Sequence, residues 1–343
     1  MRHTRRHFVA SSAASLCAAA CSRRPAARPV PKFADPSRLT EGWRVLNLRA
    51  RPGLMNMGVM DLNQGRVWYA DDKGNYPLGS LGNLLTAACG LSQVDEGKLR
   101  LNEKLQVARD DLAPPPGLVN AQFVHETAPL NAPVADLIAL AIQHDDNTAA
   151  DSVLRRIGGP GAVTSWLKAR GLEGLRLDSY SRQRIPEIFG LGGFRPEWAD
   201  ESGFARALEG IPPAEREEAM DRYLADSRDT ATVPGMIGFL DKLASGQLLS
   251  GDSTRFLMAL MSDRSETSRD LIAGLAPGST FASAGYSSHT SLGLTPADNR
   301  AGIATLPDGR RLAMAVFLVG STATATQRAQ LMADAARLLA TAG

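Results

Sequence analysis

Residues 76–83 read Tyr76-Pro77-Leu78-Gly79-Ser80-Leu81-Gly82-Asn83, and from Leu81 to Leu91 nearly every side chain is apolar or small. That run is too long for an ordinary buried strand and suits a buried helix. Ser80 stands where a helix favours a serine cap. Cys89 lies inside the run and reads as a core residue. Before it, Leu54–Leu62 and Arg66–Asp71 are strand-like and joined by the turn Asn63-Gln64-Gly65. Ser37–Leu46 reads as a short helix opened by its serine. After it, Val134–Ile142 and Thr148–Ile157 carry Ala and Leu at helical spacing, and Gly158-Gly159-Pro160-Gly161 breaks the chain before a helix over Ala162–Arg170. Near the end, Gly302–Leu306 and Leu312–Val319 are strands flanking Pro307-Asp308-Gly309, and an amphipathic helix runs over Thr326–Ala342. Strands therefore open and close the chain while helices fill its middle. One sheet built from both ends, with a helical lobe inserted, is the expected α/β architecture. No internal repeat is present.

Composition narrows the function. The 343 residues are 44% hydrophobic and 22% charged, as in soluble globular chains, with a formal charge of +2. That balance offers nucleic acid no basic surface. Three cysteines, Cys17, Cys21 and Cys89, exclude a disulfide framework and a cysteine-based zinc site. The histidines lack metal-ligand spacing; His144 beside Asp145 would need His289 to converge on it, and a surface histidine is the simpler reading. No cofactor or metal is expected, and no apolar run is long enough to span a membrane.

The N-terminus reads as an address. Arg2, Arg5 and Arg6 precede a mildly apolar stretch, Phe8–Ala20, that ends in three alanines. The pair Arg5-Arg6 suits the twin-arginine route. Residues 1–20 are thus expected to be an export signal and 21–36 a flexible tether rich in Arg, Pro and Ala. Cys21 is a candidate lipid anchor, although Ala18 stands where such a signal wants a leucine-like residue. The expected compartment is the periplasm and the expected state a monomer.

Three further segments carry a resemblance. Ser80-Leu81-Gly82-Asn83, Asp145-Asp146-Asn147 and Ser283-Ala284-Gly285 occur in the order and context of Ser-x-x-Lys, Ser-Asp-Asn and Lys-Thr-Gly. The sequence resembles the class A β-lactamases and related penicillin-recognising serine hydrolases over roughly residues 40–343. The resemblance implies an antiparallel sheet flanked by helices in a domain over 37–343, with the helical lobe at about 81–240. It also implies a nucleophile at Ser80, an oxyanion hole from the backbone N–H groups of Ser80 and Tyr286, and a substrate-binding strand at Ser283, Ala284 and Gly285. Asn147 would brace the cleft from the helical lobe.

The family's bases are substituted. Asn83 replaces the lysine one turn beyond the serine and cannot take a proton. Ser181 stands where the resemblance places a glutamate, with Glu187 six residues on, and about 182–227 is an insertion. Ser283 replaces a cation, and a neutral donor holds a carboxylate less firmly. Three readings follow: a serine hydrolase slow toward β-lactams; a non-catalytic relative that binds a peptidoglycan fragment or a protein; or an esterase or peptidase pairing Ser80 with Asp145 or His289. The expected ligand is a small molecule, a β-lactam or a cell-wall fragment.

Overall fold

The computed structural model describes residues 35–123, 128–198, 200–262, 267–285, 290 and 293–342. The expected export signal, most of the tether, Cys21, Tyr286 and His289 lie outside the described residues.

The chain begins with α1 (Pro36–Arg49), capped by Asp35, whose carboxylate accepts from Ser37 N at 2.9 Å. The cap is therefore Asp35, and Ser37, read from sequence as the opener, is already inside the first turn. Strands β1 (Leu54–Asp61), β2 (Arg66–Tyr69) and the short β3 (Tyr76–Pro77) lead to α2 (Leu81–Asp95). Then come β4 (Lys104–Val107), α3 (Leu118–Gln122), β5 (Leu130–Pro133), α4 (Val134–Gln143), α5 (Asn147–Arg156) and α6 (Pro160–Ala169). Next come α7 (Ser181–Ile188), α8 (Glu201–Glu209) and α9 (Pro213–Ala225), in the region where an insertion over about 182–227 was expected. They are followed by β6 (Thr230–Ala231), α10 (Val233–Ala244), α11 (Gly251–Ser262) and α12 (Thr267–Ile272). The chain closes with β7 (Thr280–Ala284), β8 (Thr295–Thr305), β9 (Arg311–Ser321) and α13 (Ala325–Ala340).

Five strands form one antiparallel sheet in the order β2-β1-β9-β8-β7, so the first strand pairs with the last. β9 is almost continuously apolar because both of its faces are buried. Leu312, Met314, Val316 and Leu318 join a core with Leu39 and Leu46 of α1 and Leu331 and Leu339 of α13. Ala313, Ala315, Phe317 and Val319 join the larger core with α2, α4, α5 and α10. The two-residue alternation of a strand thus feeds two different cores.

A third, smaller core lies within residues 188–223. Ile188, Phe189, Trp198, Phe204, Leu208, Met220 and Tyr223 bury one another, with the Phe189 and Phe204 rings edge to face. The segment's neck is clasped by two aspartates. Asp229 Oδ1 accepts from Asp178 N (2.7 Å) and Ser179 N (3.0 Å), while Asp178 Oδ2 accepts from Asp229 N (3.0 Å). Asp229 takes up a left-handed backbone at φ +50° to make this clasp.

Candidate active site

Ser80 is placed by the strand pair β3–β6 and by the sheet. Leu78 N donates to Asp229 O (2.8 Å), and Gly79 turns at φ +53°. From β8, Asn299 Nδ2 donates to Pro77 O (2.7 Å) and Leu78 O (3.1 Å). Its Oδ1 accepts from Leu318 N at 3.2 Å, so one buried amide ties the Ser80 turn to the middle of the sheet. Ser80 holds the N-cap position of α2, yet its side chain makes no capping hydrogen bond. The hydroxyl is not spent on the helix end.

One turn along α2, Asn83 Nδ2 donates to Asp145 Oδ1 at 2.9 Å. Asp145 sits just before α5 with φ +53°. Asp146, next in sequence, caps α5 by accepting from Ala149 N (2.9 Å) and takes Val119 N on its other oxygen (2.8 Å). Asn147 Nδ2 reaches Pro114 O at 3.4 Å. His144 is exposed.

Ser80, Asn83, Asp145, Asn147 and Ser181 line one cavity of about 120 Å³. Ser181 opens α7, and its N–H donates to Asp151 Oδ1 (2.8 Å) while Arg182 N donates to Oδ2 (2.8 Å). Burial pushes the Asp151 carboxyl up to about 6, against the opposing pull of those two N–H groups and of Arg155. Asp151 was not singled out from sequence, although an acid one helical turn beyond Asn147, on the apolar face of α5, was a legible signal.

Glu187 does not line this cavity. It pairs with Arg184 (3.4 Å), which does line the cavity, and with Arg228 (3.1 Å). Asp226 joins the same cluster at 2.9 Å from Arg184 and 2.7 Å from Arg228. Burial alone would raise Asp226, but the hydrogen bonds of Arg228 and Arg184 outweigh it and hold its carboxyl well below the usual range.

Ser283 and Ala284 are buried on β7, opposite Gly302 and Ala301 of β8, and are not among the residues lining the cavity. Gly285 follows at φ +103° with its Cα against the carbonyl of Asn299. A side chain there would strike that carbonyl. Tyr286 and His289 belong to the segment outside the described residues. Among described residues no helix is long and apolar enough to cross a membrane.

Comparison with known proteins agrees with this fold. A crystal structure of a beta-lactamase from Chitinophaga pinensis DSM 2588 superposes with a TM-score of 0.69 at 22% identity, over 88% of this chain and 97% of that one. The TLA-3 extended-spectrum beta-lactamase gives 0.70 at 19% identity, over 89% and 98%. At those identities the likeness is one of fold. An ancestral class A beta-lactamase, of the last common ancestor of Gram-negative bacteria, gives 0.68 at 26% identity, over 88% and 98%. The family model described as the beta-lactamase enzyme family matches residues 43–342. With that match over most of its length, and with Ser80 at the head of a buried helix in a sheet closed by both chain ends, this chain belongs to the beta-lactamase enzyme family.

Proposed function

We propose that the protein is an exported serine hydrolase of this family, impaired toward β-lactams, in which Ser80 forms the acyl bond. Export to the periplasm rests on the pattern of residues 1–20, with Cys21 a candidate anchor. In the reaction, Ser80 Oγ adds to the lactam carbonyl carbon while the backbone N–H of Ser80 helps to hold the oxyanion; the carbonyl then re-forms as the C–N bond breaks, and the proton lost by the serine ends on the departing nitrogen. The observation that carries the impairment is the Asn83–Asp145 hydrogen bond. It engages a neutral amide, Asn83, at the position where the resemblance leads one to expect the family's lysine. The residue at the glutamate position, Ser181, has no basic side chain either. Loss of a positioned general base typically forfeits about 10²–10⁴-fold in rate.

The same observation favours one second reading, a relative that keeps the cleft only for binding. Intact-mass analysis of the purified protein with penicillin, beside Ser80→Ala, separates the two. The expected result is a Ser80-dependent adduct that persists, because water lacks a base to release it. Turnover at rates typical of class A enzymes, abolished by Ser80→Ala, would overturn the impairment. No adduct and no loss of lactam would favour the binding-only relative.

A further inference from the structure

A second cavity meets the one beside Ser80 at Asp151, which lines both. It is an open groove of about 410 Å³, and Arg155, Tyr180, Arg182, Gln183 and Phe194 line it. The start of α7 divides its side chains between the two. Ser181, Arg184 and Ile185 line the Ser80 cavity, whereas Arg182 and Gln183, with the preceding Tyr180, line the groove. The first N–H groups of α7 do not serve the groove as a helix end, because Asp151 accepts from Ser181 N and from Arg182 N, each at 2.8 Å. Those two bonds fix the backbone from which the Arg182 side chain leaves.

Three cations line the two cavities, and two of them are matched. Arg184 lies 2.9 Å from Asp226, and Arg155 lies 2.6 Å from Asp111. Arg182 has no carboxylate within 4 Å among the described residues. Its guanidinium lies over the Phe194 ring instead, 4.8 Å from the centroid, and Phe194 packs in turn on the core of residues 188–223. Stacking occupies one face of the planar group and leaves its edge N–H donors, the ones that pair with a carboxylate. A guanidinium already held on a ring also has less freedom to lose on binding. Beside it, the Tyr180 hydroxyl and the Gln183 side-chain amide make no hydrogen bond among the described residues. The groove's two acids are engaged: Asp111 holds Arg155 and accepts from Ala108 N (2.8 Å), and Asp151 is buried with both oxygens accepting.

We propose that this groove is a binding site for the carboxylate of a small ligand, with the edge of Arg182 making paired N–H contacts and Tyr180 and Gln183 adding neutral donors. None of Ser283, Ala284 and Gly285 lines the groove, and the site operates whether or not Ser80 is acylated.

The test uses the full chain carrying Ser80→Ala, so that a failure of acylation and a failure of this site are read separately. N-acetylglycine and its neutral amide, N-acetylglycinamide, are titrated at one ionic strength while the Arg182 Nε–H and Gln183 side-chain amide resonances are followed. N-acetylglycine is expected to shift both saturably and to bind at least fivefold more tightly than the amide. Adding Arg182→Gln, which keeps a donor and removes the charge, is expected to bring the two probes within twofold. Should that variant not fold, Gln183→Glu, at an exposed position, puts a negative charge in the groove and is expected to weaken N-acetylglycine at least fivefold. No shift at either resonance, a preference below fivefold, a folded Arg182→Gln variant that keeps more than a twofold preference, or a smaller loss in Gln183→Glu would each overturn the proposal.

Discussion

The side-chain amide of Asn83 donates to the carboxylate of Asp145 at 2.9 Å, linking the first turn of α2 to the residue that precedes the cap of α5. Replacing Asn83 by Lys puts a cation and a candidate base on the side of α2 that carries Ser80. Acylation by penicillin is expected to accelerate at least about a hundredfold, the low end of what a positioned base supplies at about 10²–10⁴-fold. The rate of adduct formation by mass measures it, and an unchanged rate would count against Ser80 as nucleophile.

Asp151 makes stability depend on pH. Its carboxyl is raised to about 6 in the fold, against 3.8 for the unperturbed group, mainly by burial. Between those values the folded chain holds a proton that the unfolded chain has released. This group's contribution is therefore greatest below pH 4 and is lost as pH rises through 6, by about 3 kcal/mol. Asp151→Asn cannot titrate and can accept from only one of the Ser181 and Arg182 N–H groups. It is expected to cost about 1–3 kcal/mol at pH 4.5, with a smaller deficit at pH 7.5. Urea unfolding of both proteins at the two pH values checks this, and a deficit that widens toward pH 7.5 would show the sign to be wrong.

Asn299 positions Ser80 without touching the cavity. Asn299→Ala removes both donors from Pro77 O and Leu78 O and the acceptor for Leu318 N. A loss of about 2–4 kcal/mol is expected from the stranded polar groups. Any Ser80-dependent adduct should form more slowly in proportion to the loosened turn. Chemical denaturation and adduct kinetics, run on the same sample, report the two effects separately.

Two glycines separate backbone conformation from crowding. Gly309 has φ +88° with nothing within 4 Å of an added Cβ. Gly309→Ala should cost only the left-handed penalty of about 1–2 kcal/mol. Gly285 has φ +103° and lies against the Asn299 carbonyl. Gly285→Ala should cost at least about 2 kcal/mol beyond that. Thermal unfolding of the pair tests the ordering; equal losses would place the cost at Gly285 in the backbone alone.

The sheet was legible where its strands are apolar and illegible where they are not. Leu312–Val319 announces β9, but the run before Gly302 was not read as strand because Asp298, Asn299 and Arg300 interrupt it. β8 nevertheless starts at Thr295, with these three side chains buried. Each finds partners that no local pattern reveals: Asp298 with Arg300 at 2.6 Å and Arg328 at 2.9 Å, and Asn299 with the turn before Ser80. Burial of polar groups depends on such distant partners. The candidate site divides the same way. Ser80 and Asn83 were visible in one short motif, and Asp145 and Asn147 in another. The apolar side of the cavity, from Ile185 to Tyr223, was not, because its residues come together only after α7 and α9 fold against one another and α7 packs on α5.

The pairing of β1 with β9 joins Leu54 to Val319 and Asp61 to Leu312. Such long sequence separation makes closure of the sheet a late event with a high entropic threshold. A chain emerging during synthesis holds β1 and β2 as an isolated hairpin, with the β1 edge still unpaired, until the last strands appear. An open edge of that kind is prone to pair with another chain. Truncation before β9 should therefore yield an aggregating product rather than a shortened but folded one, which makes the extreme C-terminal residues the step that commits every nascent copy.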